Sequence, residues 1–336
     1  MMPEEITVSI CCTAYNHEKY IAEALESFIS QQTDFKYEII VHDDASTDRT
    51  PDIIREYVKK YPDLIFPIYQ TRNQYSQGKN ILAEYMVPHT RGTYVALCEG
   101  DDYWTDPQKL KKQVSALHAH PECFFCVHTT QEVQENGTPT GVLFPQNRCP
   151  SRVFTSRHFL SLTQNYSFHT SSYMFNGDKW REYQSSPPEF RRICPVGDEP
   201  YMLYFGQMGS VLFLNDCMSC YRRGVASSWS KLQNTGDIVA KKCSHCEAMA
   251  ETIRLFDEFS NGLYHDICMK RQAYYWKTSF LLKGSIRNFR KPEFRKMLQA
   301  FPLKHKCMLY MAMLFPRLSR KIYIQRLVQA NRRNGY

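Results

Sequence analysis

Apolar and polar positions follow two distinct rhythms along the first 130 residues. "ITVSICC", "YEIIVH", "LIFPIY", "TYVALC" and "CFFCVH" are short runs rich in β-branched and aromatic residues, apolar at successive positions as strands covered on both faces are. Between them, residues 18–31, 51–60, 78–87 and 107–118 place apolar side chains at helical spacing, as with Ile21, Leu25, Phe28 and Ile29. Thr50 before Pro51 and Asp106 before Pro107 each offer an N-cap followed by proline at the first helical position. Strand and helix in repeated alternation predict an α/β fold around a mainly parallel, doubly wound, Rossmann-like sheet.

After residue 130 the rhythm changes. "QEVQENGTPTGVLF" reads as a hairpin about Asn136-Gly137, followed by a short helix at 156–164 and a strand "SFHTSSYMF". A Pro-rich loop at 185–195 leads to a helix over about 198–208 and a strand pair ending at Tyr221. From 236 onward the pattern is helical. Three parts are therefore expected: 1–130, 131–235 and a helical, basic extension 236–336.

Composition narrows the class. The 336 residues are 43% hydrophobic and 23% charged, as in ordinary globular proteins. No run reaches the roughly 18–20 apolar residues that span a bilayer, and the opening MMPEEITVSI carries acids where a secretory leader carries bases, so a cytoplasmic location is expected. The 13 cysteines lie mostly in apolar strand-like runs and read as reduced thiols. Cys217/Cys220 and Cys243/Cys246 have the spacing of a four-thiolate zinc site, but "FLNDCMSCYRR" has the pattern of a strand rather than of a metal knuckle. Charge is uneven. Residues 283–336 hold 14 Lys/Arg against one acid, Glu293; of the chain's net +8, this tail therefore carries +13 and the rest −5.

In an open parallel sheet, ligands bind beyond the carboxyl ends of the strands. Four polar stretches fall at that edge: "TAYNHE", "HDDASTD", "NQYSQGKN" and "EGDDYW". In the last, adjacent Asp101 and Asp102 point different ways from a strand end, so one can hold Mg²⁺ or Mn²⁺ while the other orients a ribose or sugar hydroxyl; solvated turn acids or helix caps are the plainer alternative. In the second, Asp43 can accept from a base N–H such as uracil offers, whereas Asp48 and Thr50 suit a turn and a helix cap. Tyr15 offers a flat face to a base, and Thr13 and Asn16 flank it; all three also suit an ordinary strand exit.

Together, "VSICCTAYNHEKYIAEALESFISQ", "YEIIVHDDASTDRT", "RNQYSQGKN" and "GTYVALCEGDDYW", in this order and separation, resemble the nucleotide-binding half of family 2 glycosyltransferases of the GT-A fold, of the bacterial cell-surface polysaccharide type. The resemblance covers about residues 6–225. It implies an inverting transferase using a nucleotide-diphosphate sugar, expected to be a UDP-sugar, and a divalent cation, Mn²⁺ or Mg²⁺. Thr13, Tyr15 and Asp43 match residues that hold the nucleoside, with Asn16 grouped beside them. Asp101 matches the acid facing the ribose or donor sugar, and Asp102 the metal ligand. Gly78 and Asn80 match a loop that closes over the donor. Glu99 stands where many members have Asp.

Inversion needs a carboxylate on the acceptor side to take the acceptor hydroxyl's proton. "VGDEPYMLYFGQMG" offers Asp198 and Glu199. The separation of Asp198 from Gly209, 11 residues, resembles that from the family's catalytic Asp to its Gly, which places Asp198 first and Glu199 second. Arg222 in "CYRRGVASSW" matches an arginine near the diphosphate; a solvated Arg222-Arg223 pair is the alternative, and Gly224 replaces the family's His. His169 in "HTSSYMF" is expected to be structural or an acceptor contact.

The acceptor is expected to be a glycan or a lipid-linked hydroxyl. The tail combines the nine-residue apolar run Cys307–Phe315 with flanking Lys and Arg, so it suits either an amphipathic helix on an anionic membrane's inner face or a helical cap on the core. No nucleic-acid recognition motif is present. Two other classes compete. A sugar-nucleotide pyrophosphorylase needs a Gly-rich basic loop where this chain has "TAYNHE", and a non-catalytic binder of the same fold has no need of both Asp102 and Asp198.

Overall fold

The computed structural model describes residues 5–146, 149–163, 168–225 and 235–333. The chain folds into two compact units, one drawn from 1–187 with 204–227 and the other from 188–203 with 228–336.

The first unit is built on a mixed sheet, ten-stranded among the described residues. Its strands are β1 (Ile6–Ala14), β2 (Lys36–Asp43), β3 (Ile65–Tyr69), β4 (Tyr94–Leu97), β5 (Tyr103–Trp104), β6 (Cys123–Val133), β7 (Pro139–Phe144), β8 (Arg152–Phe154), β9 (Met174–Asn176) and β10 (Ser210–Arg222). The order is β3-β2-β1-β4-β9-β6-β10-β5, with β7 on β6 and β8 on β10. The block β3-β2-β1-β4 is parallel, as is β6-β10, but β9 lies antiparallel between β4 and β6. The expected α/β architecture is present, with a sheet more mixed than the apolar runs alone indicate.

Helices α1 (Ile21–Ile29), α2 (Thr50–Lys60) and α3 (Lys109–Ala119) form where the helical spacing places them. Ile21, Leu25 and Phe28 of α1 are buried in one cluster with Val8, Ile10 and Cys12 of β1 and Ile39 and Val41 of β2. Phe28 meets Trp104 edge to face with ring centres 4.7 Å apart. Thr50 does not cap α2 as expected. Its hydroxyl accepts the His17 N–H and donates to Asp48, so it ties two loops together. Asp106 accepts from the Gln108 N–H just before α3 begins.

Residues 78–87 depart from a regular helix, forming a π-turn at Leu82–Met86 that runs into a 3₁₀ turn at Val87–His89. Pro88 lacks the N–H that a longer helix needs. The hairpin about Asn136-Gly137 is present between β6 and β7. α4 (Ser156–Leu162) and α5 (Gly177–Ser185) follow. The expected strand pair ending at Tyr221 is instead the single strand β10, whose polar Asn215 and Asp216 are absorbed by register shifts between Leu214 and Ser219. "SFHTSSYMF" gives a 3₁₀ turn at Thr170–Ser172 and short β9; its Ser167 lies outside the described residues, as do residues 226–229 of "CYRRGVASSW".

The second unit is helical. α6 (Glu189–Ile193) forms in the Pro-rich loop, and α7 (Glu199–Met208) begins in this unit. α8 (Ile238–Phe259) and α9 (His265–Lys283) follow, then α10 (Pro292–Gln299), α11 (Leu303–Leu314) and α12 (Pro316–Arg333). Phe280, Leu281, Ile286, Phe289, Leu298, Leu309 and Met313 make its C-terminal core. Cys243 and Cys246 lie within α8, and among the described residues no group of three or more His, Cys, Asp or Glu is arranged to hold a metal.

Candidate active site

At the carboxyl end of the parallel block, backbone hydrogen bonds continue past the strands and fix three loops side by side. The Asp44 N–H donates to the Ala14 carbonyl, and the Gly100 N–H donates to the Thr13 carbonyl, both at 2.9 Å. Thr13, Tyr15, Asn16, Asp43, Asp101 and Asp102 are thereby gathered on one rim. Asn16 and Ala45 adopt positive φ, 56° and 60°, where each loop leaves its strand. The Asn16 side-chain oxygen accepts from the Thr47 N–H at 2.8 Å, so its amide carbonyl clamps the first loop to the second. Tyr15 is more than a third exposed.

Asp43 is buried at the end of β2. Its Oδ2 accepts weakly from the Ser46 N–H at 3.3 Å, while Oδ1 has no hydrogen-bond partner among the described residues. Burial raises its carboxyl above the ordinary range. A buried acceptor left unmatched costs about 1–3 kcal/mol, and an N–H donor from a ligand would recover it. Asp44, for which the sequence suggests no separate role, accepts the Gln74 and Tyr75 N–H groups at 2.7 and 3.0 Å and so anchors the loop that holds Gly78 and Asn80. Gly78 takes a left-handed φ of 76° at the end of a 3₁₀ turn. Asn80 accepts from Ala83 N–H, and Glu84 accepts from Asn80 N–H, a reciprocal cap on the turn that follows.

Around "EGDDYW" each acid has a separate environment. Glu99 accepts from the Thr170 hydroxyl at 2.7 Å, which places an acid that the sequence left without a role. Gly100 sits in a tight space: a Cβ there would lie 2.9 Å from Ile21 Cδ1 and 3.2 Å from Ala14 Cβ, so Ile21 or Ala14 would have to give. Asp101 Oδ2 lies 3.8 Å from His17 Nε2. Asp102 is buried, with Oδ1 accepting the Arg222 N–H at 2.7 Å and Oδ2 3.6 Å from His169 Nδ1. Burial pushes the Asp102 carboxyl well above its ordinary range, and the charges of Asp101 and Glu99 push the same way. His169 stacks on Tyr221 with ring centres 4.2 Å apart, and burial pushes its imidazole down to about 3, so it is neutral.

Arg222 is buried, which excludes the solvated pair with Arg223. Its Nε donates to the Asp101 carbonyl at 3.0 Å, one terminal nitrogen donates to the Glu135 carbonyl at 2.9 Å, and the other meets the Glu23 carboxylate. The guanidinium also sits 5.0 and 5.2 Å from the ring centres of Tyr20 and Tyr103. These protein partners use three of its five N–H groups.

The residues fit a divalent cation in one respect. A hard cation held by few protein groups keeps positions open for phosphate oxygens and water, and Asp102 presents Oδ2 among acids whose mutual repulsion a cation would relieve.

In the helical unit, Asp198 and Glu199 stand at the start of α7. The Asp198 carbonyl accepts the Tyr201 N–H, and its Oδ1 accepts the Glu199 N–H at 2.9 Å, an N-terminal position that favours a carboxylate. Burial, with the neighbouring charge of Glu199, raises the Asp198 carboxyl to about 6. Glu199 is buried and ion-paired with the equally buried Arg271 of α9.

A sheet of this order with acids at its carboxyl rim is the arrangement of the GT-A fold class. The sequence model of Glycosyl transferase family 2 matches residues 9–181, over half of the chain, and the protein belongs to that family. An uncharacterized protein of Mycobacterium tuberculosis is 48% identical over 132 residues, 39% of this chain and 37% of that one, so the match spans under two-fifths of this curated relative. Among solved structures, residues 1–349 of S. aureus TarS in complex with UDP superpose with a TM-score of 0.59 at 18% identity, covering 97% of this chain and 92% of that one. The mannosyltransferase PcManGT from Pyrobaculum calidifontis, in complex with GDP-Man and Mn²⁺, gives 0.52 at 16% identity over 98% of this chain and 86% of that one. The likeness to both is one of fold.

Proposed function

We propose that the protein is an inverting glycosyltransferase that moves a sugar from a nucleotide-diphosphate donor, a UDP-sugar, to a hydroxyl of a glycan or lipid-linked acceptor in cell-surface polysaccharide or glycolipid synthesis. In this reading the unmatched Asp43 Oδ1 accepts a base N–H, Tyr15 lies against the base and Thr13 flanks it. Asp101 faces the ribose or sugar, and the loop of Gly78 and Asn80 covers the donor. Arg222 positions the Asp101-Asp102 segment, and Asn16 clamps the loops that carry Tyr15 and Asp43. Asp102 would hold Mn²⁺ or Mg²⁺ through Oδ2. A cation held there would stabilise charge on the departing diphosphate.

The observation that carries the mechanism is the division of labour at α7. Glu199 is committed to Arg271, while among the described residues only Oδ1 of Asp198 accepts a hydrogen bond, and its carboxyl, near 6, suits a general base at neutral pH. As the acceptor oxygen bonds to the anomeric carbon, Asp198 takes its proton and the bond to the diphosphate oxygen breaks on the opposite face. The complexes of TarS with UDP and of PcManGT with GDP-Man and Mn²⁺ support donor and cation on this fold.

The test is transfer or donor hydrolysis by purified protein across a panel of UDP- and GDP-sugars, with Mn²⁺, Mg²⁺ or chelator. Turnover of a UDP-sugar that chelator abolishes, and that Asp198→Asn lowers by about 10³-fold without weakening UDP binding, is expected. No turnover of any donor, or an active Asp198→Asn enzyme, overturns the reading.

A further inference from the structure

Large apolar side chains are exposed at 16 positions among the described residues, and eight of them fall between residues 303 and 322: Leu303, Met308, Tyr310, Met311, Leu314, Phe315, Leu318 and Ile322. That density has a helical cause. On α11, Leu309, Ala312 and Met313 project from one side into the core of the helical unit. At 100° per residue, Leu303, Tyr310, Met311 and Leu314 share the opposite side, and exposed Phe315 follows at the C-cap. One face of α11 is a cap on the core, and the other is as apolar and stands in solvent. Leu303 is 77% exposed and Leu314 59%, well beyond what scattered surface residues need.

The charge pattern identifies what this face suits. Residues 303–326 contain six Lys/Arg and no acid. Lys304, Arg317, Lys321 and Arg326 are exposed and, among the described residues, none forms an ion pair. Arg320 donates to the Leu282 carbonyl at 2.8 Å, which pins α12 to the end of α9 while its neighbours stay outside. Cations interleaved with exposed Leu, Met, Phe and Tyr match a layer that offers phosphate groups and acyl chains together. α11 has 12 residues, about 18 Å at 1.5 Å per residue, so it can lie in such a layer and not cross it. No helix among the described residues is long and apolar enough to span.

We propose that the exposed face of α11 and the first turns of α12 is a docking surface for an anionic phospholipid bilayer, with Met311, Leu314 and Phe315 entering the interface and Lys304, Arg317 and Lys321 meeting lipid phosphates. The surface is independent of the catalytic reading, because it is measured without donor or acceptor.

The test uses the full chain and sedimentation with vesicles of phosphatidylcholine alone or with about one-third phosphatidylglycerol. Binding is expected only with phosphatidylglycerol and is expected to weaken steeply as salt is raised to about 1 M. Met311→Gln/Leu314→Gln/Phe315→Ser and, separately, Lys304→Gln/Arg317→Gln/Lys321→Gln each lower the partition coefficient by at least about tenfold, with circular dichroism unchanged because every altered side chain is exposed. Absence of binding to the anionic vesicles, or binding that neither variant weakens, overturns the proposal. So does a wild-type dimer by light scattering that the apolar variant converts to monomer without change in vesicle binding, since the face would then join two copies.

Discussion

Two of the chain's pairs of adjacent acids, Asp101-Asp102 on the sheet rim and Asp198-Glu199 at the start of α7, are each organised by an arginine, and differently. Arg222 binds the first pair through the backbone: its N–H holds Asp102 Oδ1 and its Nε holds the Asp101 carbonyl, so both carboxylates keep an oxygen for other work. Arg271 binds the second pair through a side chain, in a buried ion pair with Glu199. The comparison teaches that adjacency alone does not define a catalytic pair. What matters is which carboxylate oxygen the protein leaves uncommitted, and that is fixed by the partner.

The strongest way to break the second pair is to remove its arginine. Arg271→Met leaves Glu199 buried and charged without a partner, which is expected to cost about 3–5 kcal/mol of stability, read as a lower denaturation midpoint. Asp198→Asn strands no such buried partner among the described residues. Its midpoint should stay within about 1 kcal/mol of wild type although turnover is lost. Equal destabilisation by both would show that Asp198 is as structural as Glu199.

A smaller effect tests a charge buried against Trp104 of β5. Lys109 of α3 is fully buried, with Nζ 3.8 Å from the centre of the Trp104 ring and donating to Gln113 at 2.8 Å; no carboxylate is bonded to it among the described residues. Burial lowers its ammonium to about 7. The unfolded chain, with an ordinary lysine near 10.4, holds more protons between about pH 7 and 10, so wild-type stability rises with pH over that window. Lys109→Met should therefore stabilise by about 2 kcal/mol at pH 6, and the gain should vanish by about pH 10. A gain independent of pH would mean that Lys109 binds its proton equally in the folded and unfolded states, so that burial does not lower its ammonium.

Much of the fold was legible in the residues, and the reasons differ by element. β1 and β2 read as continuous apolar runs because both of their faces are buried. β5 did not, because two residues carry no period, and β10 looked like two strands because its bulge is polar. The rim acids could be located by their position after apolar runs. Their partners could not, because Arg222 meets Glu23 across 199 positions and Arg271 meets Glu199 across 72, and no local spacing records such contacts. Asp44 could have been found: an acid one residue beyond a strand, facing a loop of free N–H groups, is a recurrent anchor.

The finest test of the comparison concerns protonation of Asp198. At saturating donor and cation, kcat/KM for acceptor is expected to fall about tenfold per pH unit below about 6, because the base must be deprotonated and its carboxyl lies near 6. Glu199 contributes to that value by repulsion, second to burial. Replacing the buried pair with apolar residues, Glu199→Leu with Arg271→Met, removes the repulsion without leaving a lone buried charge, so the fold is expected to hold. The acid limb should then move to lower pH by less than one unit, a difference worth under about 1.4 kcal/mol. A limb that stays in place while the double variant folds would assign the titration to a group other than Asp198, and with it the proton transfer.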